Sequence, residues 1–435
     1  MTNARTTALS ALIAARRQGA WSDGALKEYI SRDRLERRDA ALASRLCYGV
    51  LQNRMLLDHY IEGRLTGKLK DLQPVVLDIL RLGAYQILFM DRIPDSAAVN
   101  EAVEQTKTYA NKRASGLVNG VLRALIRARE ELTPPSDLSV RYSHPKELVK
   151  LLEDAVGGDI EALLQANNAP TPTVLQINPL LADETAVLEE LAQQGVTLTP
   201  HPWLAGCYLA ESTGNLEKLD AFSSGRVYVQ DPAAKLAAMA AELKPDMRVL
   251  DACAAPGGKS FAAAMQMGNR GSILSCDIHP HKISIIEKGA QRLGIDIISA
   301  RVQSAAEYNP EFEQAFDAII ADVPCSGLGV IRKKPDIRYK DLKPLENLPS
   351  IQSAILDNVS RYLKAGGVLL YSTCTILPRE NEAVVKAFLS AHPEFSAEPI
   401  QVPSGLHLAD DTFVTLWPHL HESDGFFICK LRKHT

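Results

Sequence analysis

The sequence lacks the features that mark membrane, secreted and metal-stapled proteins. No apolar run approaches the roughly 20 residues that a spanning helix needs. The stretch Met1 to Arg17 reads as an ordinary amphipathic helix without the apolar core of a signal peptide. The seven cysteines are odd in number and none forms a C-x-x-C pair, so neither a disulfide framework nor a zinc site is expected. A reducing cytoplasm is the expected home. A strong charge of one sign is also missing, the net charge being −4. What remains is an ordinary globular composition, 46% apolar and 23% charged, on 435 residues, enough for two or three domains.

The small net charge hides an asymmetry. Residues 1–140 hold 21 Lys+Arg against 16 Asp+Glu, and the remainder 27 against 36. A basic module beside an acidic one fits a polyanion partner for the first, although a solvated helical surface has the same balance. Strand patterns are missing from the first 132 residues. Ala8 to Ala15, Ala25 to Ile30, Asp39 to Leu57, Leu72 to Met90 and Ala97 to Arg129 carry apolar residues at helical spacing. Small residues within two of these helices, including Gly49, Gly116 and Gly120, are expected to let helices pack closely. Leu132 to Ser136, with two prolines, is a break. Beyond it the pattern mixes helix and strand to about Ser224. From Gly225 onward strands and helices alternate, beginning with Val227 to Gln230, which predicts a doubly wound sheet.

The chain is organised around Arg248 to Ser260, RVLDACAAPGGKS. An apolar strand end, a glycine turn and a helix start place a ligand at a helix N-terminus. Two ligand classes compete. A phosphate-binding P-loop needs glycine where Cys253 stands. A nucleoside site needs an acid at the end of the next strand, and Gly271 to Asp277 supplies both strand and acid. Asp251, Asp277, Asp322 and Cys374 all fall at or just beyond expected strand ends, where ligands gather in such a sheet.

Phe316 to Asp322 reads as a buried strand ending in an acid, which a P-loop enzyme would use for magnesium. The next residues suit it less: Pro324-Cys325-Ser326-Gly327 puts a thiol at the same rim, and Thr373-Cys374-Thr375 puts a second one past another strand. A lone sheet cysteine is usually a small core residue. Two thiols and a carboxylate beside a nucleoside pocket suggest covalent catalysis on a pyrimidine. A thiolate adding at C6 makes C5 enamine-like, and a carboxyl group at N3 and the exocyclic amine favours the addition. C5 then attacks an electrophilic methyl group, for which S-adenosylmethionine fits the pocket. The base must leave its stack to be reached. Spacing alone does not say which cysteine attacks. Arg332-Lys333-Lys334 is placed at the site rim as a phosphate grip. His279 and His281 lack a third ligand nearby, so no metal is expected.

Three stretches of the N-terminal part, Arg45 to Asn53, Leu82 to Glu104 and Gly116 to Arg123, resemble the NusB family of RNA-binding antitermination factors. The last two hundred residues resemble the Sun/Fmu family of RNA cytosine-5 methyltransferases. That likeness is carried by Val229 to Ala233, Asp251 to Ser260, Asp322 to Gly329, Arg332 to Arg338, Ser372 to Thr375, Leu416 to His419 and Asp424 to Phe427. It implies an S-adenosylmethionine-dependent Rossmann-like α/β methyltransferase domain at 226–435. An all-α NusB-like RNA-binding domain at 1–140 and a small α/β connector at 141–225 precede it. It implies that Cys374 is the nucleophile, that Cys325 assists release, and that Asp322 serves cofactor and base. The cofactor loop is then Cys253, Ala254, Ala255, Pro256, Gly257, Gly258 and Lys259, with Asp277 as the ribose acid. The family's acid near the adenine is replaced here by Gln303, which cannot supply the charge. The implied substrate is one cytosine in 16S ribosomal RNA, with no DNA or membrane partner, and the protein is expected to be a monomer. A P-loop ATPase and a non-catalytic ribosome-assembly factor are the competing readings.

Overall fold

The computed structural model describes residues 3–18 and 22–434. Met1 and Thr2 of the expected first helix lie outside them. No helix of the described residues is long and apolar enough to cross a membrane. The chain forms two compact units.

The first unit comprises residues 1–154, 158–168 and 333–340 and is helical. The almost wholly apolar helix Pro74–Phe89 is its centre, with Pro74 in the first turn, where a missing N–H does no harm. Its Ile79, Leu80 and Leu82 pack among Leu46, Leu57, Ile61 and Leu122. Two expected long helices are each broken once. The Asn53 N–H and its Nδ2 both donate to the Gly49 carbonyl, 3.1 and 2.9 Å away, and the run divides into Arg37–Gln52 and Arg54–Glu62. Asn111 ends the other run by capping Lys112–Arg127, its Oδ1 accepting from the Ala114 N–H at 2.9 Å. Of the glycines expected at helix contacts, Gly49 is one: a Cβ there would stand 2.0 Å from the Tyr85 ring. Gly116 and Gly120 are not, since a Cβ on either meets nothing within 4 Å among the described residues.

Arg338, one of the residues carrying the family resemblance, is 1% exposed in this unit. Its guanidinium donates to the carbonyls of Gln52 and Tyr142 at 3.1 and 3.2 Å and to Asn168 Oδ1 at 2.8 Å. These acceptors lie at the carboxyl ends of helices Arg37–Gln52, Leu138–Arg141 and Ile160–Asn168, where the helix dipole favours a cation. Burial still pulls its pKa down to about 10.

The second unit holds two sheets. The smaller is antiparallel: β1 Thr173–Ile177, β2 Thr197–Pro200, β3 Cys207–Glu211 and β4 Val227–Val229, in the order β2-β3-β1-β4. Here the sequence expectation is corrected. The Val227 strand pairs antiparallel with β1 and does not open the doubly wound sheet. Two hydrogen bonds from Asn178 Nδ2, to the carbonyls of Gly225 and Leu293 at 2.9 Å each, fix it there.

The larger sheet comprises β5 Arg248–Asp251, β6 Ser272–Asp277, β7 Ile298–Val302, β8 Phe316–Asp322, β9 Leu363–Thr373, β10 Phe395–Glu398, β11 Val414–Leu416 and β12 Phe426–Lys433. Its order is β10-β12-β9-β8-β5-β6-β7, with β11 on β12. The five strands from β9 to β7 run parallel, and β12 returns antiparallel along β9. The centres of β5, β8 and β9 are apolar because both faces are covered; Leu250, Ile319, Ile320, Leu369 and Leu370 are all buried. The register sets Asp251 beside Ser275 and Ile320, and Asp322 beside Ser372. The acids therefore share one rim.

Candidate active site

The loop after β5 is a turn built for close approach. Gly257 has φ +108°, in the region that side chains avoid, and a Cβ there would stand 2.4 Å from the Phe261 ring. The Gly257 N–H closes the turn on the Ala254 carbonyl at 2.7 Å, and the Ala254 N–H bonds the Cys276 carbonyl at 2.8 Å. Pro256 follows a cis bond from Ala255. Helix Gly258–Gln266 then begins, so its unpaired N–H groups face the strand ends.

Lys259 is turned inward. Its Nζ lies 2.6 Å from Asp322 Oδ2 and 5.0 Å from the centre of the Phe426 ring. Burial works against its charge, but Asp322, Asp251 and the Cys374 sulfur outweigh it and raise the pKa above that of an ordinary lysine. The other Asp322 oxygen accepts from Ser372 Oγ at 2.9 Å. Asp251 is fully buried, and burial lifts its pKa to about 6 although Ser260 Oγ donates to it at 2.6 Å. Burial, reinforced by Asp251, Asp322 and Asp277, pushes the Cys253 thiol up as well. Cys253 is therefore a neutral thiol among three carboxylates.

The two further thiols meet. Cys325 Sγ and Cys374 Sγ are 3.3 Å apart across 49 residues of chain. Hydrogen bonding to Cys374, followed by burial, holds the Cys325 pKa well above that of an ordinary cysteine. A backbone seam supports the pair: Gly329 N–H donates to the Cys374 carbonyl at 3.0 Å, and Gly425 N–H to the Gly329 carbonyl at 2.8 Å. A Cβ on Gly329 would stand 1.9 Å from the Gly425 oxygen. Both glycines are thus required by the approach of two backbones beside the thiols.

Asp277 ends β6 and is 7% exposed; its Oδ1 accepts from the His279 N–H at 2.9 Å and its Oδ2 faces Lys282 Nζ at 3.3 Å. The Gln303 N–H bonds the Asp277 carbonyl at 3.2 Å, but its side chain turns into its own loop, donating to the Ser304 carbonyl and accepting from Asn309 Nδ2. The rings of His279 and His281 lie 5.6 Å apart. Two features escaped the sequence reading. Ile278 and Val302, beside the expected ribose acid, are 55% and 48% exposed and form an apolar edge there. Glu380, Asn381 and Gln352 form a buried polar cluster around the thiol-bearing turns. The first has a sequence signal, an apolar residue just past a strand-end acid. The second has none, because Glu380 and Asn381 read as an ordinary helix start.

Known proteins match the chain along its length. Three family models apply: the NusB family over residues 2–127, an RsmF/B-like ferredoxin-like domain over 144–214, and the 16S rRNA methyltransferase RsmB/F over 238–432. The probable ribosomal RNA small subunit methyltransferase B of Bacillus subtilis (strain 168) is 38% identical, over 99% of both chains. The protein of the same name from Synechocystis is 33% identical over the whole of both. Among solved structures, a methyltransferase homolog protein from Pyrococcus horikoshii superposes with a TM-score of 0.60 at 26% identity, over 69% of this chain and all of that one. With that identity held over full length, the chain belongs to the 16S rRNA methyltransferase RsmB/F family.

Proposed function

We propose that the chain transfers a methyl group from S-adenosylmethionine to C5 of a cytosine in 16S ribosomal RNA, through a covalent bond between Cys374 and C6. The observation that carries this reading is the pair of thiols 3.3 Å apart beside the Lys259–Asp322 ion pair. The ribosomal target is taken from the names of the relatives. The division into 1–140 for RNA binding, 141–225 as connector and 226–435 for catalysis belongs to the same proposal.

The donor set fits the cofactor. Asp251, Asp277 and Asp322 surround the glycine turn, and an acidic site suits a sulfonium and an ammonium. The same carboxylates oppose a triphosphate, and Lys259, which a P-loop would aim at phosphate, is paired with Asp322. Residues 253–259 would hold the amino acid end, Asp277 the ribose, and Ile278 and Val302 the adenine faces, with Gln303 contributing its main chain. When bound, S-adenosylmethionine supplies an electrophilic methyl group.

The chain's own residues do the rest. The Lys259 ammonium stabilises a Cys374 thiolate, whose electron pair forms the bond to C6. The C5–C6 π pair shifts between C4 and C5 and the C4–N3 π pair onto N3; Asp322, at N3 and the exocyclic amine, passes to N3 the proton that Cys374 gave up, and N3 returns it once C5 is methylated. After C5 has gained its methyl group, its proton must leave, the C5–C6 double bond re-forms and the C6–S bond breaks. Cys325 assists that step. Its pKa is held up first of all by the Cys374 sulfur. Once that sulfur is bonded to carbon it carries no charge, so Cys325 ionises more readily and more of it is thiolate, able to take the C5 proton, when release requires it.

Denaturing electrophoresis with substrate RNA and cofactor tests the reading. Cys374→Ala should give no methyl transfer and no covalent species. Cys325→Ala should accumulate a protein–RNA adduct. An adduct from Cys374→Ala instead reverses the roles, and unchanged methyl transfer in both variants leaves the thiol mechanism wrong.

A further inference from the structure

Two consecutive buried residues each grip one of the thiol-bearing turns. Glu380 Oε2 accepts from the Ser326 N–H at 2.8 Å and from Gln352 Nε2 at 3.0 Å. Gln352 Nε2 also donates to the Pro324 carbonyl at 3.0 Å. Cys325 lies between Pro324 and Ser326, so its peptide is held on both sides. Asn381 does the same for Cys374: its Oδ1 accepts from Thr373 Oγ1 at 2.6 Å and its Nδ2 donates to the Thr375 carbonyl at 3.0 Å. The Tyr371 hydroxyl donates to the Glu380 carbonyl at 2.6 Å, anchoring the dipeptide to the strand that leads to Cys374. Ser326 Oγ donates to Thr375 Oγ1 at 2.8 Å and joins the two turns directly.

We propose that Glu380 and Asn381, with Gln352, are positioning residues that set the spacing of the two sulfurs and so govern release of the product. The cluster is placed for nothing else: Glu380, Asn381 and Gln352 are 0%, 1% and 0% exposed and cannot touch substrate. It is also a costly arrangement. Glu380 Oε1 and Gln352 Oε1 are buried with no hydrogen-bond partner among the described residues, and a buried acceptor left unpaired destabilises the fold. An apolar filling would avoid that penalty but could not hold two peptides lacking any covalent link at hydrogen-bond precision. The importance for release rests on the mechanism proposed above; the importance for spacing rests on geometry alone.

The test therefore has two arms. In the first, the whole protein reacts with phenylarsine oxide, which bridges two thiols by forming two As–S bonds and releasing one water, with no change of oxidation state. Intact mass and the rate of closure are read, and Cys325→Ser, which cannot close the bridge, defines the background. Wild type should close one bridge between Cys325 and Cys374. Glu380→Ala and Asn381→Ala, checked as folded by circular dichroism, should close about tenfold more slowly or worse, the loss expected for removing hydrogen bonds to a charged or buried group. Glu380→Gln keeps an oxygen to accept from Ser326 and should recover most of the rate, which a general loss of packing would not allow. If Glu380→Ala does not fold, Gln352→Met, of similar volume, should slow closure in its place. Closure at the wild-type rate in the folded alanine variants overturns the proposal. In the second arm, Glu380→Ala should accumulate the RNA adduct as Cys325→Ala does, and prompt release with slowed closure overturns the link to release. Absence of any adduct in both Cys325→Ala and Cys374→Ala, with slowed closure in Glu380→Ala, counts against the thiol mechanism and leaves the positioning role standing.

Discussion

At the scale of single residues the site is governed by burial acting on acids and thiols. Asp251 is the clearest case, because a stability measurement reads its titration without any substrate. Its pKa is about 6 in the folded protein, raised by burial from 3.8. The folded state therefore binds more protons than the unfolded chain between those values, and the contribution of Asp251 to stability falls as pH rises from about 4 to about 6. Above that window the loss is complete, on the order of 3 kcal/mol from a shift of about two units. Asp251→Asn cannot titrate. Urea denaturation of wild type and variant at a series of pH values should show the wild type losing ground to Asp251→Asn through that window, with no further change above about pH 7. Parallel curves would mean that Asp251 is ionised at ordinary cost. The same logic makes Ser260 important, since its hydroxyl lowers the cost of the ionised form while Ser275 hydrogen-bonds the Ser260 oxygen.

At the scale of elements, periodicity located what it could and glycine separated two cases that it could not. Both the Arg45 to Asn53 and Ala114 to Arg123 stretches suggested close helix packing, yet of Gly49, Gly116 and Gly120 only Gly49 has a ring against it. Gly49→Ala should destabilise by about 1–3 kcal/mol through overpacking against Tyr85. Gly120→Ala, in an open helix face, should stabilise by about 0.5–1 kcal/mol through helix propensity. Thermal denaturation of both variants reads the opposite signs, and destabilisation by Gly120→Ala would show that its face is packed after all. Strand ends were legible because an apolar run stopping at Asp251, Asp277 or Asp322 has one simple meaning in a parallel sheet. Strand partners were not. Val227–Val229 has the same apolar character whether it joins β1 or the larger sheet, and its partner is decided by Asn178, a side chain about fifty residues away. The helix breaks at Asn53 and Asn111 were missed because apolar spacing runs on through both, while a single amide ends one helix and caps another. The thiol pair was legible as two cysteines at neighbouring strand ends. The Glu380–Asn381 pair was not, since its meaning lies in partners from three separate segments.

At the scale of the whole molecule, charge divides the labour. The excess of Lys and Arg falls in residues 1–140 and the excess of Asp and Glu in the remainder. The acidic part surrounds the cationic cofactor proposed for the glycine turn. In the basic part, on helix Lys112–Arg127, Lys112, Arg113, Arg123 and Arg127 are exposed along with Gly116 and Gly120. A cationic face with no side chains at its glycines lets a phosphate backbone come close to the helix. Under the proposed function that face holds RNA, and holding RNA by phosphates has a thermodynamic signature. Each phosphate neutralised releases counterions, so log affinity falls with log salt by about 0.7 to 0.9 per contact. Binding of the full protein to ribosomal RNA fragments, followed by filter retention across a salt series, should show a steep negative slope. Replacing Lys112, Arg113, Arg123 and Arg127 together with glutamine should flatten that slope by up to about three and weaken binding alike for RNAs of different sequence, since phosphate contacts carry no sequence information. It should leave S-adenosylmethionine affinity unchanged, because the proposed cofactor residues belong to the other unit. A slope that the four substitutions do not alter would place the RNA grip elsewhere, with Arg332, Lys333 and Lys334 the next cations to replace.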